Sequence, residues 1–136
     1  MEYAIIVGEI VANVIVADAS FVATSAPGAI RIDNISPVPG IGWKYSGSTF
    51  TPPVSATAPL VTGTHGSAIS PVSASARGGT GTGFTFAATG LPTGLSMSSS
   101  GEVSGAPAGA GTSTYAVTVT DSGGNIGSAA GTVTIS

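Results

Sequence analysis

The side chains able to do acid–base chemistry are few and far apart. His65 is the only histidine, and it lies in Thr62-Gly63-Thr64-His65-Gly66 with no acidic neighbour in sequence. General acid–base catalysis needs a second titratable group within hydrogen-bond reach of the proton being moved, so His65 reads as a surface histidine. Asp121 and Asn125 could offer oxygens to calcium, but a good site takes about six to eight of them. Glu102 and Asp121 are the only acids after Pro59, which makes Asp121 a turn-stabilising residue. The run Gly78-Gly79-Thr80-Gly81-Thr82-Gly83 precedes a strand pattern; it lacks the helix N-terminus that would hold phosphate and is expected to be a flexible loop. There is no nucleophile elbow, dinucleotide-binding turn or phosphate-loop lysine. Trp43 and Tyr45 could stack on a sugar ring or serve as core, and Asn34-Ile35-Ser36 fits a glycosylation sequon with nothing else pointing to a secretory route. The expectation is a non-enzyme with no catalytic, cofactor-binding or metal-binding residues.

Charged residues make up 7% of the chain, against roughly 25% in an average soluble domain, so the surface must be Ser, Thr, Gly and Ala. Disorder goes with low hydrophobicity and high net charge, whereas this chain is 42% hydrophobic with a net charge of −3; folded β-structure follows. Arg31, Lys44 and Arg77 are its only basic residues and form no stripe to neutralise phosphates, which excludes nucleic acid as a partner. The absence of cysteine removes disulfide and thiolate-metal frameworks. Met1-Glu2-Tyr3 lacks a basic signal-peptide region, and no apolar window approaches the roughly 20 residues of a spanning helix. Synthesis in a cytoplasm without membrane insertion is expected.

What must position any site is a set of short strands in two parts. Residues 1–53 form the first, residues 54–58 are expected to be a Pro-rich, extended linker, and residues 59–136 form the second. In the first part, β-branched runs flank Gly8-Glu9 as a hairpin, Asp18 can cap a helical turn through Phe21, and Ala29–Ile32 reads as a third strand. Trp43-Lys44-Tyr45 and Thr49-Phe50-Thr51 flank a further turn. Strict alternation along the second run puts Ile10, Ala12, Val14 and Val16 on one face and Val11 and Ile15 on the other, so both faces want cover. Two arrangements provide it: an interface with another subunit, or a second layer from the Phe21 turn and the Trp43 hairpin of the same chain. A unit of about 50 residues buries little of its surface alone, so the interface is expected, with Ile10, Val11, Val14, Ile15, Val16 and Trp43 as its candidate residues.

The second part alternates cleanly. Phe84 and Phe86 share a face, as do Leu95 and Met97, then Tyr115, Val117 and Val119, then Val133 and Ile135. Around Pro71 the phase slips between Ile69 and the series Val72, Ala74 and Ala76, which points to a bulge or a strand changing sheets. The fold class expected from this alternation is all-β: a small N-terminal β-rich anchoring unit followed by a β-sandwich.

Leu91-Pro92-Thr93-Gly94-Leu95-Ser96, then Ser100-Gly101-Glu102-Val103-Ser104-Gly105-Ala106-Pro107, then the run from Thr114 to Asn125 resembles the cadherin-related immunoglobulin-like repeats of bacterial surface proteins and tailed-phage virion proteins. Ala4–Gly8, Val11–Asp18, Pro39–Tyr45 and Gly47–Pro53 are similar to the leader of tailed-phage structural and tail-fibre-associated proteins. Related cadherin-like repeats place calcium at domain junctions, which directs the metal question to Asp121 and Asn125. The resemblances imply that the β-sandwich is an immunoglobulin-like β-sandwich and that the chain is a virion protein of a tailed bacteriophage, either in a tail fibre or appendage or as capsid decoration. They imply other virion proteins and further copies of itself as partners, with host surface or glycan as a target. A bacterial cell-surface adhesin binding carbohydrate is the alternative.

Overall fold

In the computed structural model, which describes residues 1–136, the β-branched runs either side of Gly8-Glu9 pair antiparallel as β1 (Glu2–Val7) and β2 (Ile10–Val16). Asp18 caps α1 (Ala19–Ser25), its Oδ1 accepting from the Phe21 amide at 2.7 Å, as an N-cap carboxylate does. β3 (Ile30–Arg31), β4 (Lys44–Ser46) and β5 (Thr49–Thr51) complete a five-stranded sheet in the order β3-β1-β2-β4-β5. The alternation expected along β2 is broken. Ile5 pairs with Asn13 but Ile6 pairs with Val11, so Ala12 is the extra residue of a bulge, and a bulge shifts the side-chain phase by one. Val11 and Val14, expected on opposite faces, consequently both serve the core of Ala4, Val11 and Ile32.

Trp43 packs against this core with Ile35 and Phe50, and its segment is laced to β2 by Val11 N–H to Trp43 O (2.8 Å) and Gly42 N–H to Val11 O (2.9 Å). The chain thus supplies one of its own covering layers from the Trp43 segment. Phe21 contributes less than expected, being 51% exposed, while Val22 one residue on is buried.

The second compact unit starts at Val54, not Pro59. Residues 54–58 are not a linker: Val54 is buried in the second core, and β6 (Ser55–Thr57) pairs antiparallel with β9 (Ser75–Arg77). The reason is visible in Val54-Ser55-Ala56-Thr57-Ala58, where small apolar and polar residues alternate with strand period. After Pro59 the chain crosses to the opposite sheet, where β7 (Val61–Gly63) runs parallel to β14 (Ile126–Ile135). One sheet has the order β10 (Thr85–Thr89), β13 (Gly111–Thr120), β14, β7. Facing it are β11 (Leu95–Met97), β12 (Glu102–Gly105) and β8 (Val72–Ser73), together with the β6–β9 pair. The phase slip near Pro71 is a change of partner: β8 pairs with β12, and two residues later β9 pairs with β6.

Val61, Val103, Val117, Val119 and Val133 are fully buried between the layers, and Phe84, Phe86, Leu95 and Met97 pack around them. Tyr115 stands opposite Gly131 in the β13–β14 register. A Cβ at position 131 would overlap the Tyr115 ring, so glycine there lets the ring lie flat on the neighbouring strand and deliver its hydroxyl to Pro59 O at 2.5 Å. One tyrosine thereby fastens the point where the first strand changes sheets.

Candidate functional site

Asp121, the buried acid of the second unit, is 5% exposed. Its Oδ1 accepts from Gly123 N–H (2.9 Å), Asn125 N–H (2.8 Å) and Asn125 Nδ2 (3.1 Å). Oδ2 accepts from Asn125 Nδ2 (2.9 Å) and, across the unit, from Thr80 N–H (2.7 Å). Burial pushes the carboxyl up, but the hydrogen bonds from Asn125, Thr80 and Gly123 outweigh it and hold the group well below the usual carboxylate range. The carboxylate's lone pairs are therefore committed to N–H donors, and Asp121 closes the β13–β14 turn as expected. The Gly-rich loop, expected to be flexible, is instead pinned to that turn through Thr80, with Ser122 N–H to Thr82 O (3.2 Å) and Thr80 Oγ1 to Ser122 Oγ (2.9 Å) alongside. Gly79 has φ +56, and a Cβ there would overlap Asp121 Oδ2.

His65 belongs to the other end of the sandwich, where its amide donates to Ser136 O (2.8 Å). The ten-residue β13 separates that end from Asp121, a span of about 30 Å at roughly 3.3 Å per residue. The fold does not bring this histidine and this acid together.

The six candidate interface residues divide. Val11 is fully buried in its own unit, and Val14 and Trp43 pack against that core, so Val11 has no surface to offer a partner. Ile15 is half-buried, while Ile10 and Val16 are 44% and 79% exposed. Val16 and Ile15 line a cleft of about 500 Å³ with Asp18 and Phe21. Sequence reading missed Val7, paired with Ile10 across the hairpin and 66% exposed, as well as Phe21, Val38 and Ile41. The signal was present at Val7 and Ile10, which flank the two-residue turn. Tyr45 leans on Phe50, ring centroids 4.7 Å apart and tilted by 42°, and with Trp43 in the core the two do not form an open sugar platform. Glu9–Lys44 (3.9 Å) and Arg31–Asp33 (2.7 Å) are exposed ion pairs and add little to stability.

The sandwich presents a different surface. Along β13 and β14 the outward positions are Thr112, Thr114, Ala116, Thr118, Ser128, Ala130, Thr132 and Thr134, paired row by row across the strands. This face has no charge and no large apolar side chain until Ile126 at its end. Elsewhere on this unit Arg77, at the end of β9, and Glu102, at the start of β12, are exposed charges, so the uncharged hydroxyl-bearing surface is one face of the sandwich.

No curated protein matches the chain. The family described as "Putative Ig domain" matches residues 41–136, beginning at Ile41 within the first unit and taking in β4, β5 and the whole sandwich. That match spans well over half of the sequence and includes every strand of the sandwich described above: the chain belongs to this immunoglobulin-domain family.

Proposed function

We propose that the chain is a non-enzymatic structural component of a tailed-phage particle, docked through residues 1–53 and displaying its immunoglobulin-like module for adhesion or decoration. The observation that carries this reading is the division of surface character. Seven of the nine exposed large hydrophobic residues, among them Val7, Ile10, Val16 and Phe21, lie in the first unit, and exposed apolar clusters mark protein-binding surfaces. The β13–β14 face of the sandwich carries hydroxyl and methyl groups and no charge. The first unit therefore supplies contacts to other particle proteins or to further copies of the chain, and the second faces outward. Adhesion by such a module rests on copy number: many weak contacts with host surface or glycan lengthen residence by orders of magnitude through effective concentration. The leader's resemblance to tailed-phage proteins supports the setting.

The test is deletion of residues 54–136 from the virion gene. Particles that assemble and package normally but adsorb slowly to cells support the reading; failure of assembly makes the module a clamp and overturns adhesion. Labelled antibody against the module assigns head or tail by where it lands. Label on the bacterial surface with none on particles would favour a cell-surface adhesin instead.

A further inference from the structure

β2 is an interior strand of its sheet that is paired on both sides for only part of its length. On one side it meets β1 from Ile10 to Val16. On the other, β4 reaches only Ile10, and the Trp43 segment closes Val11. The bulge at Ala12 then bends the strand away from β4, and no strand of the chain adds to this edge from Asn13 onward. The groups left open follow from the ladder. Ala17 N–H donates to Met1 O (3.1 Å), so Ala17, Ile15 and Asn13 direct their main-chain groups at β1. Glu2, opposite Val16, commits its carbonyl to Ile32 N–H (2.9 Å) on the far side of β1. Val14 and Val16 therefore turn their N–H and C=O groups away from β1, as alternate residues of an antiparallel pair must. Asn13 Oδ1 accepts from Val14 N–H at 2.8 Å, while Val14 C=O and both main-chain groups of Val16 have no protein partner.

An open edge is a template for another strand unless lysine, proline or a charge blunts it. Ala12-Asn13-Val14-Ile15-Val16-Ala17 contains none of these. The spacing of the open groups selects the occupant. They belong to Val14 and Val16, on either side of Ile15, so a second β2 laid antiparallel about a twofold axis through Ile15 matches each Val14 to the other copy's Val16 and leaves no open group unused. Such a contact is isologous, the commonest kind between identical chains. The paired stretch is uncharged, so two copies do not repel, and Asp18 falls beyond it. Ile15 meets its own counterpart at the close, non-hydrogen-bonded position, where β-branched side chains pack well across strands. Val16, 79% exposed, gains cover, and the cleft that Ile15 and Val16 share with Phe21 leaves room for the added side chains.

We propose that β2 pairs antiparallel with β2 of a second copy of this chain, through main-chain hydrogen bonds in both directions between each Val14 and the other's Val16. The stretch available, between the Trp43 segment at Val11 and the start of α1 at Ala19, admits this pairing and little more. Asn13 must release the Val14 amide for the pair to close, so its side chain acts as a brake. A contact this short lies below the roughly 1,200 Å² of a stable interface, and free chains should pair with a dissociation constant of about 0.1–1 mM. Copies held close together on a particle would pair far more completely. This inference rests on the docking role given above to residues 1–53 and assigns that unit a contact with a further copy.

The experiment is amide hydrogen exchange by NMR on the full chain from about 0.05 to 2 mM, a range that brackets this affinity, with translational diffusion measured on the same samples. The Val16 amide should exchange rapidly in dilute solution and at least about twofold more slowly at the top of the range, while the Ile15 amide, bonded to β1, is protected throughout. Val16→Pro removes the open N–H at a position facing away from β1, where a strand tolerates proline; it should weaken association at least about tenfold with the fluorescence of Trp43 unchanged. Val16→Lys, a charge on the open edge, should do the same and serves where proline unfolds the unit. Asn13→Ala lifts the brake and should strengthen association about fivefold, the worth of one weak hydrogen bond. A chain that stays monomeric across the range with the Val16 amide open overturns the proposal, as does association that survives both Val16 variants or weakens in Asn13→Ala. Protection of Val16 that appears on adding particles but not on concentrating the chain gives the edge to another particle protein and overturns the second copy as occupant. A chain that pairs through Val16 yet does not co-sediment with particles supports the pairing, and the docking reading alone fails.

Discussion

Removing one oxygen from Tyr115 tests how the two layers of the sandwich are joined. The phenol is 3% exposed and donates to Pro59 O, so Tyr115→Phe deletes a buried hydrogen bond and leaves a carbonyl unpaired at the crossover between β6 and β7. Such a loss costs about 1–2 kcal/mol, and a unit of 60–100 residues shifts by roughly 4–8 °C for each kcal/mol. The midpoint should fall by roughly 5–15 °C. Calorimetry of the full chain reads the sandwich transition, and the fluorescence of Trp43, which sits in the first unit, should not follow it. Gly131→Ala attacks the same junction from the other strand by driving a Cβ into the ring, an overpacking that costs about 1–3 kcal/mol. With Tyr115→Leu the ring is gone, so adding Gly131→Ala should then cost at least ~0.5 kcal/mol less than it does alone. Burial also pushes the Tyr115 phenol up. A raised folded value means the native state keeps a proton that the unfolded chain releases above about pH 10. Stability is therefore intact below that pH and declines as pH rises through the folded value, and Tyr115→Phe should abolish that alkaline component. An unchanged midpoint for Tyr115→Phe together with strictly additive costs in the double variant would refute the assignment of Tyr115 as the crossover clasp.

Two further outcomes follow from the other buried and exposed groups. Asp121 is held below the usual carboxylate range, so the stability it confers is present above about pH 4 and is lost as pH falls from there toward its folded value; Asp121→Asn should lower the neutral-pH midpoint and flatten this acid limb. Because its oxygens are occupied by N–H groups, exchanging chelator for millimolar calcium should leave the wild-type midpoint within a degree or two, and a rise of several degrees would contradict the bonding described. In the first unit, Val16→Asp changes a residue that is 79% exposed, so self-association or particle docking measured by light scattering and co-sedimentation should weaken while the unit stays folded. Val14→Asp places a charge against the core and should unfold the unit; equal loss of folding in both variants would show that Val16 is not a surface contact.

The parts of this fold that were legible in the sequence are those carried by local alternation. Gly8-Glu9 between two β-branched runs, the Asp18 cap and the inward series Tyr115, Val117 and Val119 all appear where spacing places them. The bulge at Ala12 was not legible, because Ala12-Asn13 is compatible with either phase and only the register against Ile5 and Ile6 decides between them. At Val54–Ala58 two signals competed: flanking prolines read as a stiff linker, and a period-two pattern of small residues read as a strand. The strand won because β9 offered an open partner and Val54 could be buried, neither of which is visible within five residues. The candidate sites were the least legible part. Thr80 reaches Asp121 across 41 positions through a backbone amide, and beside it the Ser122 amide donates to the Thr82 carbonyl. Backbone groups are the same at every position, so a site built from them leaves no pattern of residue types. In a chain with so few charged side chains that is the expected construction: a glycine such as Gly79, where a Cβ would overlap Asp121 Oδ2, lets the main chain come up against a distant side chain, and no pattern of residue types marks the place.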